Sequence, residues 1–315
     1  MLAKLFNDIS IASLIRSAGV VILLFVLVFL LAAPEQASLQ LLQYHWEFSA
    51  IWLLIPGIPV YTFSVWWFNS TVNGVQLLKG DYQVMLVTGL LLLPALISMG
   101  SLNLMLLLPL TVLFLQKQFA LGHQEDISYA QFDTGTIVGL MLILQPLSVV
   151  FLLINWLALM NYGRFGLKES LMPLTGALAV WFLVCSLIYF VAGGDTTLEA
   201  LRSLLVISLG NFSGWQQKTP RLIPLILLML PGFFELLKLF GKIKVLQRQG
   251  FTLLLLSLAV ILLAGTVFYN PQGLWLWMAL PAGVILVNLI QSIRRPWLKD
   301  VVYLLLLTYV FLFFF

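Results

Sequence analysis

The chain has 315 residues, of which 62% are hydrophobic and 9% charged, and its mean hydropathy is +1.06. A water-soluble core of this size cannot hide so much apolar surface, which excludes a soluble globular or disordered chain and indicates a polytopic membrane protein. The net charge of +4 gives no reason to expect nucleic acid, because cytoplasmic loops of membrane proteins collect Lys and Arg in any case.

At the amino terminus, residues 1–16 place Leu2, Leu5, Phe6, Ile9 and Ala12 at helical spacing, with Lys4, Asp8 and Ser13 on other faces. This predicts an amphipathic helix on the bilayer surface, or else a plain extension of the first span. No small-residue cleavage pattern follows, so the first span is expected to remain. Residues 17–315 read as one all-α transmembrane bundle. A span needs roughly 17–25 apolar residues, and nine are predicted at 17–33, 48–68, 82–99, 102–115, 171–192, 222–240, 251–269, 274–290 and 301–315.

Between the first two spans lie Glu35, His45 and Glu47 without any Lys or Arg, so this loop is expected outside. Its carboxylates are the candidate catalytic groups. The other long outer segment, 193–221, aligns Leu198, Leu201, Leu204 and Leu205 on one helical face and carries Arg202, Lys218 and Arg221. Trp46, Trp66, Trp67, Trp275, Trp277 and Trp297 fall near predicted span ends, where an aromatic belt belongs.

Residues 134–160 fit none of these spans. The stretch is 27 residues long, with Gln145-Pro146 near its middle. Crossing the membrane once would put Arg164, Lys168, Lys238, Lys242, Lys244, Arg248, Arg294, Arg295 and Lys299 outside. Entering and returning on the cytoplasmic side leaves only Arg202, Lys218 and Arg221 outside, as the positive-inside tendency requires. The charge distribution therefore predicts two half-helices of roughly 20 Å each, neither crossing alone. Their turn must be buried in protein or line a wet cavity, since lipid cannot satisfy its backbone groups. Gln145 becomes a candidate substrate-binding residue, with the amino terminus inside and the carboxyl terminus outside.

Chemistry is sparse elsewhere. No phosphate-binding loop, dinucleotide fingerprint, zinc pair or nucleophile elbow occurs, and no metal or other cofactor is expected. The lone Cys185 cannot form an intramolecular disulfide. Polar residues at depth are Gln145, Asn155 and Asn288, which could each bridge helices, and the near absence of charge inside the spans argues against a proton-coupled pump. Glu235 and Lys238 have the spacing of an ion pair along a helix.

The run Phe132-Asp133-x-Gly135, then Val138-Gly139-Leu140, Pro146, Trp156 and Lys168-Glu169-x-Leu171-x-Pro173-x-x-Gly176 resembles an uncharacterised family of polytopic inner-membrane proteins from Bacteroidota, a domain of unknown function. The resemblance implies a multi-pass protein of the bacterial inner membrane and no particular activity. A more distant likeness is to GT-C membrane glycosyltransferases, through Gly135-x-x-x-Gly139-Leu140 before a short hairpin and a basic turn. It implies that Glu35 or Glu47 acts as base or metal ligand and that Arg202, Lys218 and Arg221 hold a lipid-linked phosphate. The chain lacks the Asp-Glu pair and large outer domain of those enzymes, and Gly-x-x-x-Gly is equally a helix-packing spacing. Two functions follow as expectations: handling of a lipid-linked or glycan substrate in envelope biogenesis, or a non-catalytic scaffold for partners in a secretion, motility or other envelope complex. Membrane lipid is a partner in both.

Overall fold

The structure is a computed structural model and describes residues 11–32, 36–41, 44–78, 80, 82–97, 101–124, 126–192, 213–267 and 271–314. Among these the order is α1 (Ile11–Ala32), β1 (Gln36–Leu41), β2 (Tyr44–Ser49), α2 (Leu54–Gly74), α3 (Gln83–Ile97), α4 (Leu102–Ala120), α5 (Ile127–Leu144), α6 (Val150–Asn161), α7 (Leu167–Ala192), α8 (Ser213–Phe240), α9 (Val245–Val267), α10 (Pro271–Ser292) and α11 (Pro296–Phe314). Most of the surface-helix expectation at 1–16 and all of 193–212 lie outside the described residues; 11–16 are the first turns of α1.

Among the described residues, six helices are long and apolar enough to cross a membrane: α1, α4, α5, α7, α9 and α10. The expectation of nine full spans is thus met only in part. α2 falls short because Pro56, Pro59, two tryptophans and Asn69 dilute its hydropathy, and α3, at 15 residues, is about 22 Å long. The first outer loop is also not helical. Gln36–Leu41 and Tyr44–Ser49 alternate polar and apolar residues with period two, and they pair antiparallel in the register Ala37↔Phe48, Leu39↔Trp46 and Ser38↔Glu47. That hairpin displaces the second helix to 54–74 from the expected 48–68.

α3 is the innermost element. Residues 83–94 are all buried, and the helix is apolar on every side, as a fully enclosed helix must be. It packs against α1, α2, α10 and α11. Backbones approach where side chains vanish: a Cβ on Gly283 of α10 would stand 2.2 Å from Thr88 Cγ2. On the other side the Tyr61 hydroxyl of α2 donates to the Gly89 carbonyl at 2.6 Å.

The bundle has two unlike ends. At one, Gln247 Nε2 donates to the Gln76 carbonyl at 2.6 Å, Asn161 Nδ2 to the Gln249 carbonyl at 2.9 Å, and Gly122 lies against Leu246 and Tyr162. The turns after α2, α4, α6 and α8 therefore meet there, bringing Arg164, Lys168, Lys242, Lys244 and Arg248 to the same end. At the other, Ser38 of β1 bridges to Ser101 just before α4. We call these the basic end and the strand end.

Candidate functional site

The stretch singled out by charge folds as α5, a short 3-10 turn at Pro146–Val149, and α6. Proline lacks a donor and cannot continue α5, so the chain turns at Gln145, which is extended at φ −152° and ψ 109°. Two of the carbonyls at the break find donors. Gln145 N–H and the Ser148 hydroxyl both donate to the Met141 carbonyl, at 2.8 and 3.2 Å, while Asn103 Nδ2 of α4 donates to the Leu144 carbonyl at 3.0 Å. The turn is thus held in part by protein donors, one of them from the neighbouring α4.

After the turn the chain comes back. Asn155 of α6 accepts at 2.8 Å from Gln118 Nε2, near the basic end of α4, and donates at 2.7 Å to Gln131 Oε1, near the start of α5. Phe151, one turn earlier, meets Phe114 of α4 and Trp277 of α10 edge-on, each at a centroid distance of 4.9 Å. α6 therefore runs parallel to α4 and antiparallel to α5, and both ends of the α5–α6 pair lie at the basic end. One detail departs from expectation. α5 begins at Ile127 rather than near 134, and at 18 residues it is long enough to cross alone. Asp133 does not stop the helix because it sits on the flank and pairs with Lys117 at 2.9 Å.

Gln118, Asn155 and Gln131 form a buried amide ladder, each at 0% exposure. Its two termini, Gln118 Oε1 and Gln131 Nε2, have no partner among the described residues. Reversing all three amides reverses the ladder but still leaves one donor and one acceptor over, so the imbalance belongs to the composition and not to the assignment of the amides. Sequence reading found Asn155 and missed both glutamines, because the helices were ended at 115 and begun at 134. Gln131, Thr134, Gly135 and Val138 share one helical face, a periodicity that carries α5 back past Asp133.

α7 runs alongside α5 in the same direction. A Cβ on Gly135 would stand 2.1 Å from the Pro173 carbonyl oxygen, and one on Gly176 would stand 2.3 Å from that of Phe132. Gly139 lies against Ala177 in turn, so Gly135-x-x-x-Gly139 is the seam on which α7 docks. Trp156 Nε1 adds a bond to the Ser170 carbonyl at 2.9 Å. At the basic end, burial pushes the Tyr162 phenol up to about 12, so it stays neutral over the physiological range.

The other expected site residues are distributed as follows. Glu35 and Arg202 lie outside the described residues, and Lys218 and Arg221 fall in the first turns of α8, whose side chains there are not described. Glu47 is exposed on β2, opposite Ser38. Since Ser38 bridges Ser101, and Asn103 holds the Leu144 carbonyl, Glu47 and the Gln145 turn belong to the same strand end. Glu235 and Lys238 pair at 2.6 Å, as their spacing predicts. Among the described residues no group of three or more His, Cys, Asp or Glu is placed to hold a metal.

Residues 95–315 match a family of unknown function (DUF6427). No curated protein and no solved structure matches the chain.

Proposed function

The chain belongs to that family, and from this premise we propose that it is a multi-pass protein of the bacterial inner membrane, with α6 returning the chain toward the side that α5 leaves, that handles a lipid-linked or glycan substrate at its strand end. The observation that supports the reading is the shared location of the first-loop carboxylate and the Gln145 turn, opposite the end that gathers the basic loops. The positive-inside tendency assigns the basic end to the cytoplasm. Glu47 then stands on the outer side, exposed at the level where a lipid headgroup would be presented. There a carboxylate can accept a proton from an attacking hydroxyl or ligate a cation, with Glu35 as the second acid and Arg202, Lys218 and Arg221 as charge-assisted donors to a phosphate.

Two measurements test it. In a Cys185→Ser background, Leu167→Cys is expected to react with an impermeant thiol reagent only from the cytoplasm and Ser49→Cys only from outside; reaction of both from one side overturns the topology. Glu47→Gln, Glu35→Gln and Arg202→Ala are expected to alter envelope glycans while the protein still accumulates. If all three leave them unchanged, the substrate reading fails.

A second reading, a scaffold for partners in an envelope complex, is favoured by α7. Only 11% of its apolar span is buried, against 83% for α10, so the face of α7 turned away from α5 is open to lipid or to another protein's helices. A partner of fixed stoichiometry retained after mild extraction would select this reading, and isolation as a single species after crosslinking would remove it.

A further inference from the structure

α8 and α9 are consecutive helices joined by a short turn, an arrangement that ordinarily brings two helices into contact. Here each leans on α10 and they hardly touch one another. The gap is a cleft of about 410 Å³, lined by Phe233 of α8 and by Thr252, Leu255, Ala259 and Leu262 of α9. Phe233 is 39% exposed and Ala259 is exposed, so the cleft opens outward. From Thr252 to Leu262 it follows α9 for about 15 Å. These residues lie within a helix long and apolar enough to cross a membrane, so the cleft faces hydrocarbon, not water.

What stands at its mouth is charged. Arg248 lies one turn before Thr252, whose hydroxyl donates to the Arg248 carbonyl at 2.9 Å, so both share the cleft's face of α9. The opposite face of α9 is spent on the core, through Gln247 to Gln76, Gln249 to Asn161 and Gly250 against Leu77. Lys242 and Lys244 occupy the turn above. All three are exposed, and none has a carboxylate partner among the described residues, whereas nearby Lys238 is taken by Glu235. An apolar slot capped by three uncommitted cations matches an anion that carries a hydrocarbon tail.

We propose that the α8–α9 cleft is a binding site for one anionic phospholipid, its acyl chain lying along Thr252 to Leu262 and its phosphate held by Lys242, Lys244 and Arg248. The site is at the basic end, away from the Glu47 region, and does not depend on the substrate reading. Basic residues next to a span favour acidic headgroups by about 1 kcal/mol each, which corresponds to about fivefold in affinity.

The test uses the full chain purified in mild detergent. Native mass spectrometry of the wild type is expected to retain one phosphatidylglycerol, and added phosphatidylglycerol is expected to raise the melting temperature more than phosphatidylcholine does. Lys242→Gln/Lys244→Gln/Arg248→Gln is expected to abolish that preference with the lipid-free melting temperature unchanged, each single change costing about fivefold in affinity. Ala259→Phe, which fills the slot, is expected to lose the retained lipid. Equal stabilisation by the two lipids, or a preference that survives the triple change, overturns the proposal. So does competition by glycerol phosphate at the lipid's own concentration, which would mean that the cations bind a free phosphate. Should Ala259→Phe fail to fold, the wild-type mass spectrum decides: an absent or zwitterionic lipid refutes the site.

Discussion

Two of the helix pairs joined by tight turns, α5–α6 and α8–α9, are built in opposite ways. The first is fastened by polar groups: the amide ladder couples it to α4, Asn103 holds its turn, and glycine lets α7 lie directly on α5. The second is apolar along its facing surfaces and stands open. The difference follows from the solvent. In hydrocarbon, two leucine-covered helices gain little by leaving lipid for each other, so close association needs hydrogen bonds or backbones allowed to approach. Composition thus decides which pair closes.

The comparison breaks most severely at the glycine seam. Gly135→Leu drives a side chain into the Pro173 carbonyl, a backbone atom that cannot swing aside, and is expected to cost about 3 kcal/mol and detach α7. Thermal unfolding in detergent checks it, with Gly74→Ala as a neutral control because nothing lies within 4 Å of that position.

Next comes the ladder. Asn155→Leu leaves Gln118 and Gln131 both unpaired at full burial, an expected loss of about 2 kcal/mol. Replacing all three residues by Leu removes the stranded groups as well, so the triple change is expected to be milder than the single one by the same measurement. A triple variant less stable than Asn155→Leu would mean that packing, not hydrogen bonding, holds this pair closed.

The smallest effect belongs to the flank of α5. Lys117 and Asp133 form a partly exposed pair, and Asp133→Asn is expected to cost less than about 1 kcal/mol, an amount that added salt should erase.

The unequal treatment of the two pairs also explains what was legible in the sequence. The return of the chain after Gln145-Pro146 could be read, because it moves nine basic residues across the bilayer and so leaves a mark on charge far from the turn itself. The start of α5 could not be placed by charge, since Asp133 looked like a boundary and is a flank residue with a partner on α4. Gln118 and Gln131 were hidden for the same reason, each lying just beyond a helix end that had been drawn too short. The β-hairpin shows in the alternation of residues 36–41 and 44–49, which offers no apolar run to mark an element. The α8–α9 cleft had no signature at all. Its walls have the composition of any span, and only the helix crossing reveals that they do not meet.

The enclosure of α3 bears on how the molecule is made. A ribosome delivers α3 early, yet α10 and α11, two of the four helices that wrap it, are encoded some two hundred residues later. Chains grow at roughly 5–20 residues per second, so the future centre of the bundle spends on the order of ten seconds or more without its final neighbours. During that interval Thr88 and the Gly89 carbonyl have α1 and α2 for company but no Gly283, and the groove awaiting α10 is lined by lipid. Assembly is therefore completed from the carboxyl-terminal third inward, and a chain cut short after α9 would carry its innermost helix on its surface.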